Sequence, residues 1–235
     1  MDIVLHYSIT GDGMPLVLLH GNGENSAYFS RQIEYFSPSY RVIAVDTRGH
    51  GDSPRGKAPF TLAQFAEDLK ALLDMLSVEK CLLLGFSDGA NIALLFALKY
   101  PQYIEKLVLN GGNLSPSGVK ASSQLPICIG YGVVSFIALF DKKAIPNKEL
   151  LALMVTQPHI KPDELASLTV PTLVIVGEND MIKDSHSRLI AASLPHAVYR
   201  SIPGNHFIAA EQSEAFNLEV ANFLQNDENK GVTYQ

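Results

Sequence analysis

The chain has 235 residues, 47% of them hydrophobic and 18% charged, enough for one large core. Its 18 basic and 24 acidic residues leave a net charge of −6 with no basic cluster, so there is no electrostatic footprint for nucleic acid or an anionic membrane. Two cysteines, Cys81 and Cys128, make neither a disulfide framework nor a metal-ligand spacing.

The first stretch, MDIVLHYSITGDG, has no cationic segment and no uninterrupted apolar run, so a cytoplasmic location is expected. Short apolar runs then follow at 15–20 (PLVLLH), 41–46 (RVIAVD), 81–86 (CLLLGF), 106–111 (KLVLNG), 172–177 (TLVIVG) and 197–202 (AVYRSI). Runs apolar on both faces belong to a covered sheet. Amphipathic helical patterns lie near 61–77, 87–99, 184–194 and 211–225. Strand and helix in alternation predict an α/β fold with a mostly parallel, doubly wound sheet and helices on both faces.

One interval, from Leu114 to about Val170, breaks that rhythm and reads as an inserted segment. Its apolar stretch LPICIGYGVVSFIALF, 125–140, carries two glycines and a proline and falls short of the ~20 residues that span a bilayer, so no membrane span is expected. The tail from 228 to 235 is polar.

The strand 81–86 ends at Gly85-Phe86-Ser87-Asp88-Gly89, where the helix 87–99 begins. In G-x-S-x-G the glycines relieve crowding in a sharp strand-to-helix turn, and the serine hydroxyl projects from the carboxyl end of the sheet. Backbone N–H groups at the helix start point the same way and suit an oxyanion. A serine hydroxyl attacks only when a base takes its proton and a third group orients that base. Asp180, just past the strand 172–177, and His206, in the loop before the last helix, supply both in the order Ser, Asp, His. Glu178 is the alternative acid, and Asp184 lies farther into the next helix.

Five motifs, HGNGENS (20–26), DTRGHGDS (46–53), GFSDGA (85–90), GEND (177–180) and GNHF (204–207), together resemble those of α/β-hydrolase-fold serine hydrolases, including esterase, biphenyl-hydrolase-like and non-haem haloperoxidase-like members. The likeness runs from about residue 3 to 225. It implies a single discontinuous core, 1–113 and 170–227, with a small helical lid, 114–169, inserted after the sixth conventional strand. It also implies a Ser87-Asp180-His206 triad and an oxyanion hole made by the backbone N–H groups of Asn22 and Asp88, with the Asn22 side chain incidental. The expected reaction is hydrolysis of a small to medium, largely apolar carboxylic ester, thioester or lactone through an acyl-enzyme. Neither a cofactor nor a metal is implied. Carbon–carbon hydrolysis or perhydrolysis by the same triad is the alternative chemistry, and a ligand receptor or scaffold with vestigial hydrolysis the alternative of another class. Serine at position 87 excludes the aspartate-based dehalogenase and epoxide hydrolase chemistries of this fold.

Asp88, at a position where some biphenyl-hydrolase-like members also carry Ser-Asp-Gly, either binds a substrate ammonium group or complements the helix dipole. Phe86, Ile127, Phe136 and Met154 are the expected substrate-contacting side chains, the last three from the lid. His20, His50 and the Asp46-Arg48-Asp52 loop are expected to be architectural, and His6, His159, His186 and His196 to lie at the surface. The expected partner is a small ester-like molecule, and the sequence sets no oligomeric state.

Overall fold

A computed structural model describes residues 2–225, so the polar tail at 228–235 and the last two residues assigned to the core lie outside the described residues. The strands are β1 (Tyr7–Thr10), β2 (Pro15–Leu19), β3 (Arg41–Val45), β4 (Cys81–Phe86), β5 (Ile104–Asn110), β6 (Thr172–Gly177) and β7 (Ala197–Ile202). The helices are α1 (Ser30–Phe36), α2 (Leu62–Met75), α3 (Asp88–Lys99), α4 (Ala121–Ile137), α5 (Ile145–Thr156), α6 (Pro162–Leu165), α7 (Asp184–Ser193), α8 (Ile208–Glu211) and α9 (Ser213–Gln225). They build one seven-stranded sheet in the order β1-β3-β2-β4-β5-β6-β7, parallel throughout except for β1 against β3.

All six expected strands are present. β1 is the one that composition hid, because an edge strand whose last three residues face solvent carries little apolar signal. The central strands are buried along nearly their whole length, since alternate side chains enter different cores. Val17, Leu19, Ile43 and Leu83 pack with Phe65 and Leu69 of α2 and Phe96 of α3. Leu16, Leu18, Val42 and Leu84 face the other way, onto Phe36 of α1 and Phe216 and Val220 of α9. α2 begins where the Thr61 side chain accepts the Gln64 N–H, a side-chain cap worth about 1 kcal/mol.

Between β5 and β6 the chain forms α4, α5 and α6. This segment is pinned at its base by a Val119–Ile182 bridge, by the Lys120 N–H on the Met181 carbonyl at 2.8 Å, and by the Ile160 N–H on the Leu114 carbonyl at 2.9 Å. α5 buries Leu153 completely. α4 buries none of its residues fully and turns Leu125, Ile129, Val133 and Phe136 outward. The segment therefore sits on the body through α5, with α4 on its outer side.

Candidate active site

Ser87 stands between β4 and α3 at φ 54°, ψ −119°, a region that L residues other than glycine rarely occupy. Its neighbours leave no alternative. A methyl group on Gly85 would lie 2.2 Å from the Gly89 carbonyl oxygen, and one on Gly89 would lie 2.0 Å from the Leu19 carbonyl oxygen. The strained residue is held by its N–H, which donates to the Asn110 carbonyl at 2.8 Å, and by its own carbonyl, which accepts the Ala90 and Asn91 N–H groups at 2.9 and 3.1 Å.

Three side chains from the ends of three strands meet here. His206 Nε2 lies 3.0 Å from Ser87 Oγ, and His206 Nδ1 lies 2.7 Å from Asp180 Oδ1. Asp180 Oδ1 also accepts the Ile182 N–H at 2.8 Å, which fixes the carboxylate plane, while Oδ2 is buried without a partner among the described residues. The imidazole is buried beside Phe86, ring centroids 4.9 Å apart, and Gly111 gives it room. Gly111 has φ +63°, and a methyl group there would come within 2.7 Å of His206 Cε1. Glu178, the alternative acid, is exposed, and Asp184 pairs with Arg188 and Tyr199 instead.

The loop after β2 runs beside this cluster. The backbone N–H groups of Asn22 and Asp88 have no acceptor among the described residues, as an oxyanion site requires. His20 braces the loop from below: its Nε2 accepts the Thr47 N–H at 3.0 Å, so Nδ1 carries the proton and donates to the Gly21 carbonyl at 2.7 Å. Burial drives the His20 pKa down to about 4. The folded value lies below the ordinary 6.5, so the unfolded chain binds the extra proton between those two pH values. Stability from neutral His20 is complete above pH 6.5 and is lost as pH falls toward 4, by about 3 kcal/mol in all. Urea unfolding of wild type and His20→Gln should give curves that converge on acidification from pH 7.5 to 4.5; parallel curves would contradict this.

A narrow cleft of about 20 Å³ opens beside the serine, lined by Ser87, Asp88, Asn113, Gln124, Met154 and Ile182 among others. Of the expected contact residues, Asp88 and Met154 line it. The others do not. Phe86 is 1% exposed and stacks on Tyr28, centroids 4.4 Å apart, so it supports the imidazole from behind. Ile127 is half-buried on α4 outside the lining, and Phe136 is 64% exposed with its ring against Phe140. α4 faces the cleft through Gln124, whose Nε2 donates to the Met154 carbonyl at 3.1 Å while its Oε1 is buried without a partner among the described residues. Nothing in a helix without apolar periodicity marked that residue.

The Asn22 side chain is not incidental. Its Nδ2 donates to Asp88 Oδ2 at 2.9 Å and to the Leu150 carbonyl of α5 at 2.9 Å. Asp88 also accepts from Asn91 Nδ2 at 3.3 Å, and its carboxyl is pushed above the usual carboxylate range, chiefly by burial. His186 also departs from the surface role expected of it, since it is half-buried and its Nε2 accepts the Leu114 N–H at 2.9 Å. The Asp46-Arg48-Asp52 loop is engaged in scaffolding contacts. Fully buried Arg48 donates to both Asp68 carboxylate oxygens at 2.6 and 2.7 Å and to Asp2 at 2.6 Å, while Asp46 accepts the Ser26 and Asp52 N–H groups.

Comparison with known proteins agrees with this architecture. Residues 14–149 match the family described as the alpha/beta hydrolase fold. A 2-hydroxy-6-oxononadienedioate/2-hydroxy-6-oxononatrienedioate hydrolase from Pseudomonas putida is 28% identical over 96% of this chain and 93% of its own. Among solved structures, a hydrolase from Pseudomonas aeruginosa PA01 superposes with a TM-score of 0.75 at 28% identity, covering 95% of each chain. A thermophilic esterase from Thermogutta terrifontis does so with 0.79 at 25% identity, covering 95% of this chain and 93% of the esterase. Among the described residues no helix is long and apolar enough to cross a membrane.

Proposed function

Because the chain belongs to the alpha/beta hydrolase fold family, we propose that it is a serine hydrolase cleaving a small carboxylic ester, thioester or lactone through an acyl-enzyme on Ser87. The observation that carries this reading is the hydrogen-bonded line from Ser87 Oγ through His206 to Asp180, at 3.0 and 2.7 Å, beside two backbone N–H groups that have no acceptor among the described residues. His206 Nε2 takes the serine proton as Oγ attacks the carbonyl carbon, and Asp180 stabilises the imidazolium. The Asn22 and Asp88 N–H groups receive the negative charge on the carbonyl oxygen. His206 returns the proton to the leaving alcohol, thiol or ring oxygen, and a water molecule repeats the sequence to release the acid. No step calls on a cofactor.

The segment 114–169 serves as the lid in this reading, over a core of 1–113 and 170–227. Its cleft sets the substrate. Four polar side chains, Asp88, Asn113, Gln124 and Gln157, share the lining with Val119, Met154, Met181 and Ile182, so a short acyl group fits better than a long hydrocarbon chain. Carbon–carbon cleavage is the second reading, because the Pseudomonas putida relative bears the name of a hydrolase of a dioate. A dianion needs cationic partners, and the cleft offers a carboxylate and neither lysine nor arginine among the lining residues. That favours the neutral ester or lactone.

A series of p-nitrophenyl esters tests the size limit. Specificity (kcat/KM) should be highest for acetate or butyrate and at least about tenfold lower for octanoate, because the cleft beside Ser87, about 20 Å³, is narrow and its lining carries Asp88, Asn113, Gln124 and Gln157. A rise in kcat/KM through octanoate would contradict it.

A further inference from the structure

We propose that the side chain of Asn22 is a positioning residue that locks the two oxyanion donors to one another and makes their spacing depend on the seating of α5. The inference rests on the serine hydrolase reading. Both hydrogens of one amide nitrogen are engaged, one by Asp88 Oδ2 and one by the Leu150 carbonyl, each at 2.9 Å. The two residues whose backbone N–H groups would hold the oxyanion are thus joined by their own side chains, although 66 positions separate them in sequence.

Packing alone does not hold the loop in place. A methyl group on Gly23, at φ +75°, would meet nothing within 4 Å, so this side of the loop is open. What holds it are polar contacts: His20 on the Gly21 carbonyl at 2.7 Å, the Gly21 N–H on Glu24 at 3.2 Å, and the Asn22 amide. The opposite anchor is rigid. Asp88 accepts from Asn91, which is buried and doubly tied to Asn113, donating to its Oδ1 at 3.0 Å and accepting its backbone N–H at 2.8 Å.

Leu150 in α5, Asn22, Asp88, Asn91 and Asn113 therefore form one continuous polar line from the β5–β6 segment to the head of α3. Among the described residues the hydrogen bonds to the Asp88 carboxylate come from two side-chain amides, and the shorter of the two is from Asn22. When α5 lifts, the bond to Leu150 breaks, and the amide that spaces the two donors is free to turn. Oxyanion stabilisation is steep in donor distance, so a loosened loop lowers the rate of chemistry more than it weakens substrate binding.

The test is steady-state kinetics with p-nitrophenyl acetate on the full chain. Asn22→Ala should lower kcat by about 30-fold with KM within about threefold. Asn22→Asp, which sets two carboxylates face to face, should lose at least as much. The exchange Asn22→Asp/Asp88→Asn reverses donor and acceptor and should recover about tenfold in kcat over Asn22→Asp alone. In that exchange the bond to Leu150 stays broken, so amide hydrogen exchange over 145–156 should be faster than in wild type. An unchanged kcat in Asn22→Ala, a KM effect without a kcat effect, or no recovery in the exchange would overturn the inference. Unchanged protection of α5 in both Asn22→Ala and the exchange would overturn the coupling to that helix. These outcomes leave the hydrolase reading intact, which fails separately if wild-type turnover survives Ser87→Ala; that result would remove both.

Discussion

Ester turnover by Ser87→Ala is expected to fall by about 10⁶-fold, to near the uncatalysed background plus what binding alone provides. The substitution removes one oxygen atom, the hydroxyl that lies 3.0 Å from His206 Nε2. It leaves the backbone anchors of position 87 in place, since those bonds run through its N–H and carbonyl to Asn110, Ala90 and Asn91. The variant should fold and unfold as wild type does, and circular dichroism with a thermal scan checks that. Adding His206→Ala to Ser87→Ala should cost less than about threefold more, because a base without a nucleophile has nothing to activate. Additive losses from the two substitutions would mean that the two side chains act independently, against the mechanism.

Asp180→Asn is expected to lower kcat by about 10⁴-fold with little change in KM. Asp180 Oδ1 is shared by His206 Nδ1 at 2.7 Å and the Ile182 N–H at 2.8 Å, so the oxygen is pinned and the plane of the group is set. In the amide, an oxygen kept on Ile182 preserves the geometry but brings no negative charge to the imidazolium. An amide turned the other way presents N–H to Nδ1 and forces the proton onto Nε2, where it blocks the serine. Either arrangement disables the base. Glu178→Gln is the matched control and should leave kcat within about twofold, because that side chain faces solvent. A loss below tenfold in Asp180→Asn, or a large loss in Glu178→Gln, would reassign the acid.

The parts of this molecule that were legible in sequence are those fixed by local crowding or by burial on two faces. β2 to β6 announce themselves because each central strand feeds two cores, and β7, at the far edge, still packs Val198 and Ile202 onto one of them, while β1 turns its last three residues to solvent and needs no hydrocarbon there. The elbow was legible because Gly85 and Gly89 are dictated by carbonyl oxygens 2.2 and 2.0 Å from where a methyl would sit. The chain order of serine, acid and histidine followed from strand ends. The cleft was not legible. α4 carries its apolar residues on the outer side and sends Gln124 inward, the reverse of what hydrophobicity suggests for a roof. Phe86, adjacent to the serine in sequence, points behind the imidazole because successive residues leave a strand on opposite faces. The Asn22 contacts bridge 66 and 128 positions, and a hydrogen bond of that span leaves no periodic trace in the chain.

In the proposed mechanism one hydroxyl of this protein, that of Ser87, is made nucleophilic by its surroundings. A fluorophosphonate probe tests it most directly, since the serine oxygen displaces fluoride from phosphorus and the adduct is located by peptide mass spectrometry. One phosphonyl group per chain on Ser87, absent from Ser87→Ala and formed far more slowly by His206→Ala, is expected. A folded wild-type chain that leaves Ser87 unlabelled, or labels it equally fast without His206, would contradict it.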